Sequence, residues 1–194
     1  MGLFDWTPVG WGQVGDPDAM NLLGSAVERH DAQLQGVDMA YYTGGTIINV
    51  SPAGTEAAMS AWGGTNPDFL IEAGWIYECN CVVNVADTGT SGTAAQITWR
   101  LRKGVNTTSG QQLGQRYLAS KGGDHVCSHT AIVYIKNVTG ANIITKLGFT
   151  ISGNSGGPNF KLYGDSSVPL SLSIKKLALA ANAPNVAGVA TAIT

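Results

Sequence analysis

Between Phe69 and Leu177 apolar residues recur at every second position, and this period decides what the chain can fold into. Trp75, Tyr77, Cys79, Cys81, Val83 and Val85 fall on one face of a strand. Ile97, Trp99 and Leu101 share another, with Gln96, Thr98, Arg100 and Arg102 on its reverse. Ile143, Thr145, Leu147, Phe149 and Ile151 repeat the pattern, and Leu170, Leu172 and Ile174 alternate with Ser171, Ser173 and Lys175. Strand side chains point alternately to opposite faces, so each run has one face for a core and one for a wetter surface. Gly, Asn and Ser clusters separate the runs, and no helical pattern interrupts them. The chain is therefore read as mainly β, an antiparallel β-sandwich with strands near 69–72, 75–85, 95–103, 112–118, 125–136, 142–151, 159–163 and 169–177. Short strands at Thr46–Val50 and Glu56–Trp62 are expected around the turn at 51–54.

The flanks differ from this body. Residues 1–40 read as an N-terminal arm and one short helix, 41–177 as the sandwich and 178–194 as a tail. The arm holds Phe4, Trp6 and Trp11 in a stretch with little means of making its own core. Large aromatics bury much area per residue, which suits a short anchoring segment. Asp16-Pro17-Asp18 reads as a helix start and Gly36 as its stop. Within that helix Met20, Leu23, Val27, His30 and Leu34 fall at 3-4-3-4 spacing, which fits either a short oligomerising seam or one amphipathic face docked on its own sandwich. After Lys176 the sequence carries no charge. A free tail is normally polar enough to stay solvated, so this one is expected to lie on its own domain or on a neighbour.

Charge is scarce and unevenly placed. Only 12% of residues are charged, against 44% apolar, about half the usual share of roughly 25%. The net charge of −2 gives no reason to expect nucleic acid. Residues 1–99 hold eleven acids and one base, Arg29, whereas 100–194 hold two acids and ten bases. Either early and late strands interleave and neutralise each other locally, or acidic and basic patches meet between subunits. No secretory signal opens the sequence and no apolar run is long enough for a membrane helix, so synthesis in a cell interior without membrane insertion is expected. Three cysteines exclude a complete intrachain disulfide framework.

Four features invite a chemical reading. Gly153-Asn-Ser-Gly-Gly-Pro158 resembles the nucleophile loop of chymotrypsin-like serine proteases. However, His129 lies only 26 residues before Ser155 and no Asp lies between them, so the triad order fails and a plain hairpin loop is expected. His125, Cys127 and His129 share one strand face, as do Cys79 and Cys81; were those strands neighbours, the five could approach zinc ligation. Cys79 and Cys81 continue an apolar face, however, where a free thiol packs as a small hydrophobe. Arg100, Arg102 and Lys103 form a small basic strand region without the Gly-rich loop of a phosphate site. Glu72 and Glu78 have no carboxylate partner that the sequence can place in acid–base range. The expectation is a non-enzyme with no metal and no cofactor.

The stretch Gly74–Leu177 resembles the jelly roll of the tumour necrosis factor and complement globular-head superfamily. The likeness rests on Gly74-Trp-Ile-Tyr77, on Ile97-Thr-Trp-Arg-Leu-Arg-Lys-Gly104, on the late strand 142–151 and on Ser171-Leu-Ser-Ile-Lys-Lys-Leu177. It implies a jelly-roll β-sandwich that assembles as a homotrimer. The layout of aromatic arm, short helix and low-charge jelly roll also resembles bacteriophage virion proteins. That implies a capsid decoration or head-fibre protein located in the virion, whose partners are copies of itself and other capsid or tail proteins. The alternative is a minor tail or fibre protein that binds a host receptor or glycan, with the loop aromatic Trp62 as its surface contact.

Overall fold

The computed structural model describes residues 38–50, 54–63, 66–87, 95–120, 126–153 and 160–194. They belong to the second of two units into which the chain divides after Gly36. In chain order the strands are β1 (Asp38–Tyr42), β2 (Gly45–Val50), β3 (Ala57–Ala58), β4 (Phe69–Ile71), β5 (Trp75–Asp87), β6 (Ala95–Lys103), β7 (Gln112–Ser120), β8 (Val126–Asn137), β9 (Ile143–Thr145), β10 (Leu147–Gly153), β11 (Phe160–Gly164), β12 (Leu170–Leu179) and β13 (Thr191–Ile193). A 3-10 turn (Ala180–Asn182) and one short helix, α1 (Pro184–Val189), separate the last two.

Two sheets form the sandwich. In the larger, seven-stranded sheet β1 pairs with β12, β12 with β5, and β5 with β8 on its other side. The smaller runs β3–β10–β6–β7. Every pairing is antiparallel except that of β13 with β8. Early strands thus lie beside late ones in both sheets, as in a ribbon folded in half and wrapped into a jelly roll. Tyr77, Cys79, Cys81, Val83 and Val85 of β5 and Leu170, Leu172 and Ile174 of β12 close the core against Ile97, Trp99 and Leu101 of β6 and Leu147, Phe149 and Ile151 of β10. These are the residues that the period-two pattern assigned to inward faces.

The interleaving also brings some early acids to late bases. Arg100 and Arg102 pair with Glu56, Lys146 with Asp68, and Lys176 with Glu72. Each of these ion pairs joins an acid from before residue 99 to a base from after it.

Several segments depart from the sequence reading. Residues 38–42 form a strand that no pattern announced. The expected strand at Glu56–Trp62 ladders only at Ala57–Ala58, after which Met59 and Trp62 drop into the core. The single late strand expected at 142–151 divides at Lys146, β9 pairing with β4 and β10 with β6. Gly114 of β7 lies so close to β8 that a Cβ there would fall 2.7 Å from Val133 Cγ2, so this crossing admits no side chain.

After Leu179 the chain turns back along β8. Lys136 donates to the Ala187 carbonyl at 2.7 Å, holding α1 near the end of the large sheet where Ile76, the cross-strand partner of Lys136, is fully buried. β13 then pairs with Ile135–Asn137, and Ile193 enters the common core. Gln111 secures this segment through its Nε2, which donates to the Ala192 carbonyl, and its Oε1, which accepts from the Thr194 N–H.

Candidate functional site

The outward face of the large sheet is built by residues alternate to the core. Asn80, Val82 and Asn84 of β5 stand between Ser171 and Ser173 of β12 on one side and Ser128, Thr130 and Ile132 of β8 on the other. This band carries no charge. Toward the α1 end it meets Glu78, Lys175, Tyr134 and Lys136. Ile132 is 43% and Val126 41% exposed, both on the outward side of β8. The register with β5 fixes that orientation, because the alternating partners Ala131, Val133 and Ile135 fill the core face. Asn84 donates from Nδ2 to the Val168 carbonyl at 3.0 Å. The side-chain oxygens of Asn80 and Asn84 are buried without a hydrogen-bond donor. A buried amide oxygen left unpaired is costly, so these two oxygens are a local weak point beneath the band.

On the outward side of the small sheet Glu56 organises a satisfied ion cluster. Arg102 donates to it through Nε at 2.7 Å and Nη2 at 2.8 Å, Thr150 Oγ1 donates to its Oε1, and Arg100 approaches to 3.7 Å. Burial pushes the Glu56 carboxyl up, but the hydrogen bonds from Arg102 and Thr150 and the charges of both arginines outweigh it and hold the group below the usual carboxylate range. Arg102 further donates to the Gly110 carbonyl and Arg100 to Ser152 Oγ. The basic region expected of Arg100, Arg102 and Lys103 is therefore divided. Both arginines are committed to Glu56, while Lys103, on the other side of β6, donates to the Thr194 carbonyl. Tyr117, 56% exposed, lies beside this cluster with its hydroxyl accepting from Gln115.

The cysteines and His129 occupy the inner face. β5 and β8 are neighbours, but the register sets Cys79 opposite Val133, Cys81 opposite Ala131, Val83 opposite His129 and Val85 opposite Cys127. Burial pushes the Cys81 thiol up to about 12, although the Arg116 charge lowers it, and burial raises Cys79 well above its ordinary value. Buried protonated thiols of this kind are poor metal ligands and poor nucleophiles. His129 Nδ1 instead accepts a hydrogen bond from Trp99 Nε1 at 3.0 Å. Glu72 is engaged by Lys176 at 2.8 Å, and the Lys176 amine also lies 3.8 Å above the Trp75 ring.

Trp62 is the correction among the predicted contact residues. Expected as an exposed loop aromatic, it is 3% exposed. Its indole N–H donates to the Leu147 carbonyl at 2.7 Å, and its ring meets Phe149 edge-on at 5.5 Å. A ring with both its apolar area and its donor satisfied inside has nothing to offer a sugar. Phe4, Trp6, Trp11, Met20, Leu23, Val27, His30, Leu34, His125 and Ser155 lie outside the described residues. The outward face of β5 and β8 escaped sequence reasoning because Val126, Ile132 and Tyr134 make both sides of β8 look apolar. The even-position run Val126, Ile132, Tyr134 was the signal that could have found it.

No family model and no curated protein matches the sequence. Among solved structures, an Eiger TNF from S. frugiperda is 16% identical, over 74% of this chain and 94% of that one, with a TM-score of 0.42. A structure of the infectious bursal disease virus Gx strain is 12% identical over 74% of this chain (TM-score 0.37), and the VP2 subviral particle of the same virus is 12% identical over 74% (TM-score 0.29). This chain spans 37% and 42% of those two viral chains. The jelly-roll assignment stands on the strand order, independently of these similarities.

Proposed function

We propose that the protein is a non-enzymatic virion structural component, a homotrimeric capsid decoration or head-fibre protein of a bacteriophage. The observation that carries this reading is the uncharged band on the outward face of β5, β8 and β12, with exposed Ile132 and Val126. Apolar area on one rigid, uncharged band suits burial against another copy, where the partner excludes water. The low charge of the whole chain supports the same reading, because a protein enclosed by copies of itself has less surface to keep solvated.

Native mass measurement of the full chain tests it. The expected mass is that of three chains, and the protein should co-sediment with virus particles. A stable, folded monomer that never joins a particle would overturn the reading. Ile132→Lys places a charge in the centre of the face and should yield a monomer. Because Ile132 is already half exposed, folding stability should move by no more than about 0.5 kcal/mol, so loss of assembly with unchanged melting is the informative result. The alternative reading, a tail or fibre protein that binds a host glycan, loses Trp62 as its contact.

A further inference from the structure

Trp99 and His129 face each other across the sandwich, one from each sheet. Trp99, on β6, is fully buried; His129, on β8, is partly exposed. The indole N–H donates to Nδ1 at 3.0 Å and the rings meet edge-on, 5.9 Å between centroids. Trp99 also meets Phe149 at 5.7 Å, and Phe149 meets Trp62. One aromatic chain thus runs from Trp62 through the core to the imidazole.

An imidazole that accepts at Nδ1 must be neutral and carry its proton on Nε2. A proton at Nδ1 would turn the acceptor into a donor and leave the buried indole N–H facing another N–H. The surroundings oppose protonation as well. From β5 the side chains beside His129 are Val83 and, diagonally, Cys81; along β8 they are Cys127 and Ala131. From β7 comes Arg116, the register partner of Trp99, whose guanidinium donates to the Ile132 carbonyl at 3.1 Å and so ties β7 to β8. Burial lowers the affinity of His129 for a proton, and the Arg116 charge lowers it further. Among the described residues Arg116 is the charge that acts on it. His125, four residues earlier in the sequence, lies outside them.

We propose that the Trp99–His129 hydrogen bond is a pH-sensitive latch between the two sheets, joining β6 to β8, closed with the imidazole neutral and opened by acid. The direction follows from linkage. A histidine whose folded-state pKa is depressed adds stability that is fully present above its unfolded value, about 6.5, and is lost as the pH falls through the folded value. The latch is thus closed at neutral pH and opens on acidification.

The test uses the full chain, with the Trp99 indole N–H and the His129 ring protons followed by NMR between pH 7.5 and 4.5. On acidification the indole signal should shift and exchange faster, with the same midpoint as the imidazole and below pH 6.5. His129→Gln keeps an acceptor but cannot titrate. Its melting temperature should fall less between those pH values than that of the unaltered protein, by about 2–5 °C. Trp99→Phe removes the donor and should raise the His129 midpoint. The latch is refuted if the indole signal stays unmoved while His129 titrates, or if His129→Gln loses as much stability in acid as the parent. Should either variant fail to fold, the NMR titration of the unaltered chain decides alone.

Discussion

Truncating Trp62 to alanine should lower folding stability by about 3–5 kcal/mol, the usual cost of deleting a large buried aromatic. Two losses add. The cavity opens beside Phe149, and the Leu147 carbonyl loses the indole donor that reaches it at 2.7 Å. Urea unfolding should show an earlier midpoint with an unchanged slope, the sign of lost stability rather than an altered unfolded state. Trp62→Phe separates the two causes. It keeps most of the apolar area and leaves the carbonyl without its donor, so it should cost only about 1–3 kcal/mol. A change below about 1 kcal/mol for Trp62→Ala would place the ring outside the core. Diminished adsorption to a host in a Trp62 variant would therefore report unfolding, and glycan recognition has to be probed elsewhere.

Asn137→Ala should rank close behind, at about 2–4 kcal/mol. This side chain is buried and all its bonding capacity is in use. Nδ2 donates to the Ile71 carbonyl at 2.8 Å and to the Ala141 carbonyl at 2.9 Å, while Oδ1 accepts from the Thr139 N–H at 2.8 Å and from its hydroxyl at 2.7 Å. It fastens the turn after β8 to the end of β4. Alanine leaves the buried Ile71 carbonyl without its donor and frees the Thr139 and Ala141 groups at the more open end of the turn. Hydrogen exchange should accelerate first at 138–145 and only later in β5. Asn137→Asp retains the two accepting contacts and loses the two donating ones at neutral pH, so it should be nearly as damaging. If both variants melt with the parent protein, the turn is held by something else.

The long strands were legible because each of them has one wet and one dry face. The alternation of Trp75, Tyr77, Cys79, Cys81, Val83 and Val85 against Glu78, Asn80 and Asn84 places β5 within two residues of its observed ends, and β6 and β12 follow the same logic. What failed was set by partners that a sequence does not display. β1 has only Ala40 as a described core residue, and its strand state comes from its register with β12. The break at Lys146 marks a change of neighbour, from β4 to β6, with no Gly or Pro to announce it. Trp62 and Met59 are buried from irregular backbone, where no period exists to say which way a side chain points. For β8 both faces carry apolar residues, and pairing with β5 decides between them. The candidate face was hidden for that reason, and the cysteine row was legible as a core row because its neighbours were aliphatic.

The pairing of β1 with β12 and the entry of Ile193 into the core bear on biosynthesis. Asp38 can find its register only once Ile174 has been made, and the core closes only when residue 193 is present. Such distant closures slow folding and leave strand edges open in the meantime. While a ribosome is still building this chain, β6 and β7 have their hairpin and β5 can pair with β8, but there is no last strand to close on. The domain should therefore fold as one all-or-none event once residue 193 has been made, and chains that stop before β12 should be recognised by the cell as unfinished.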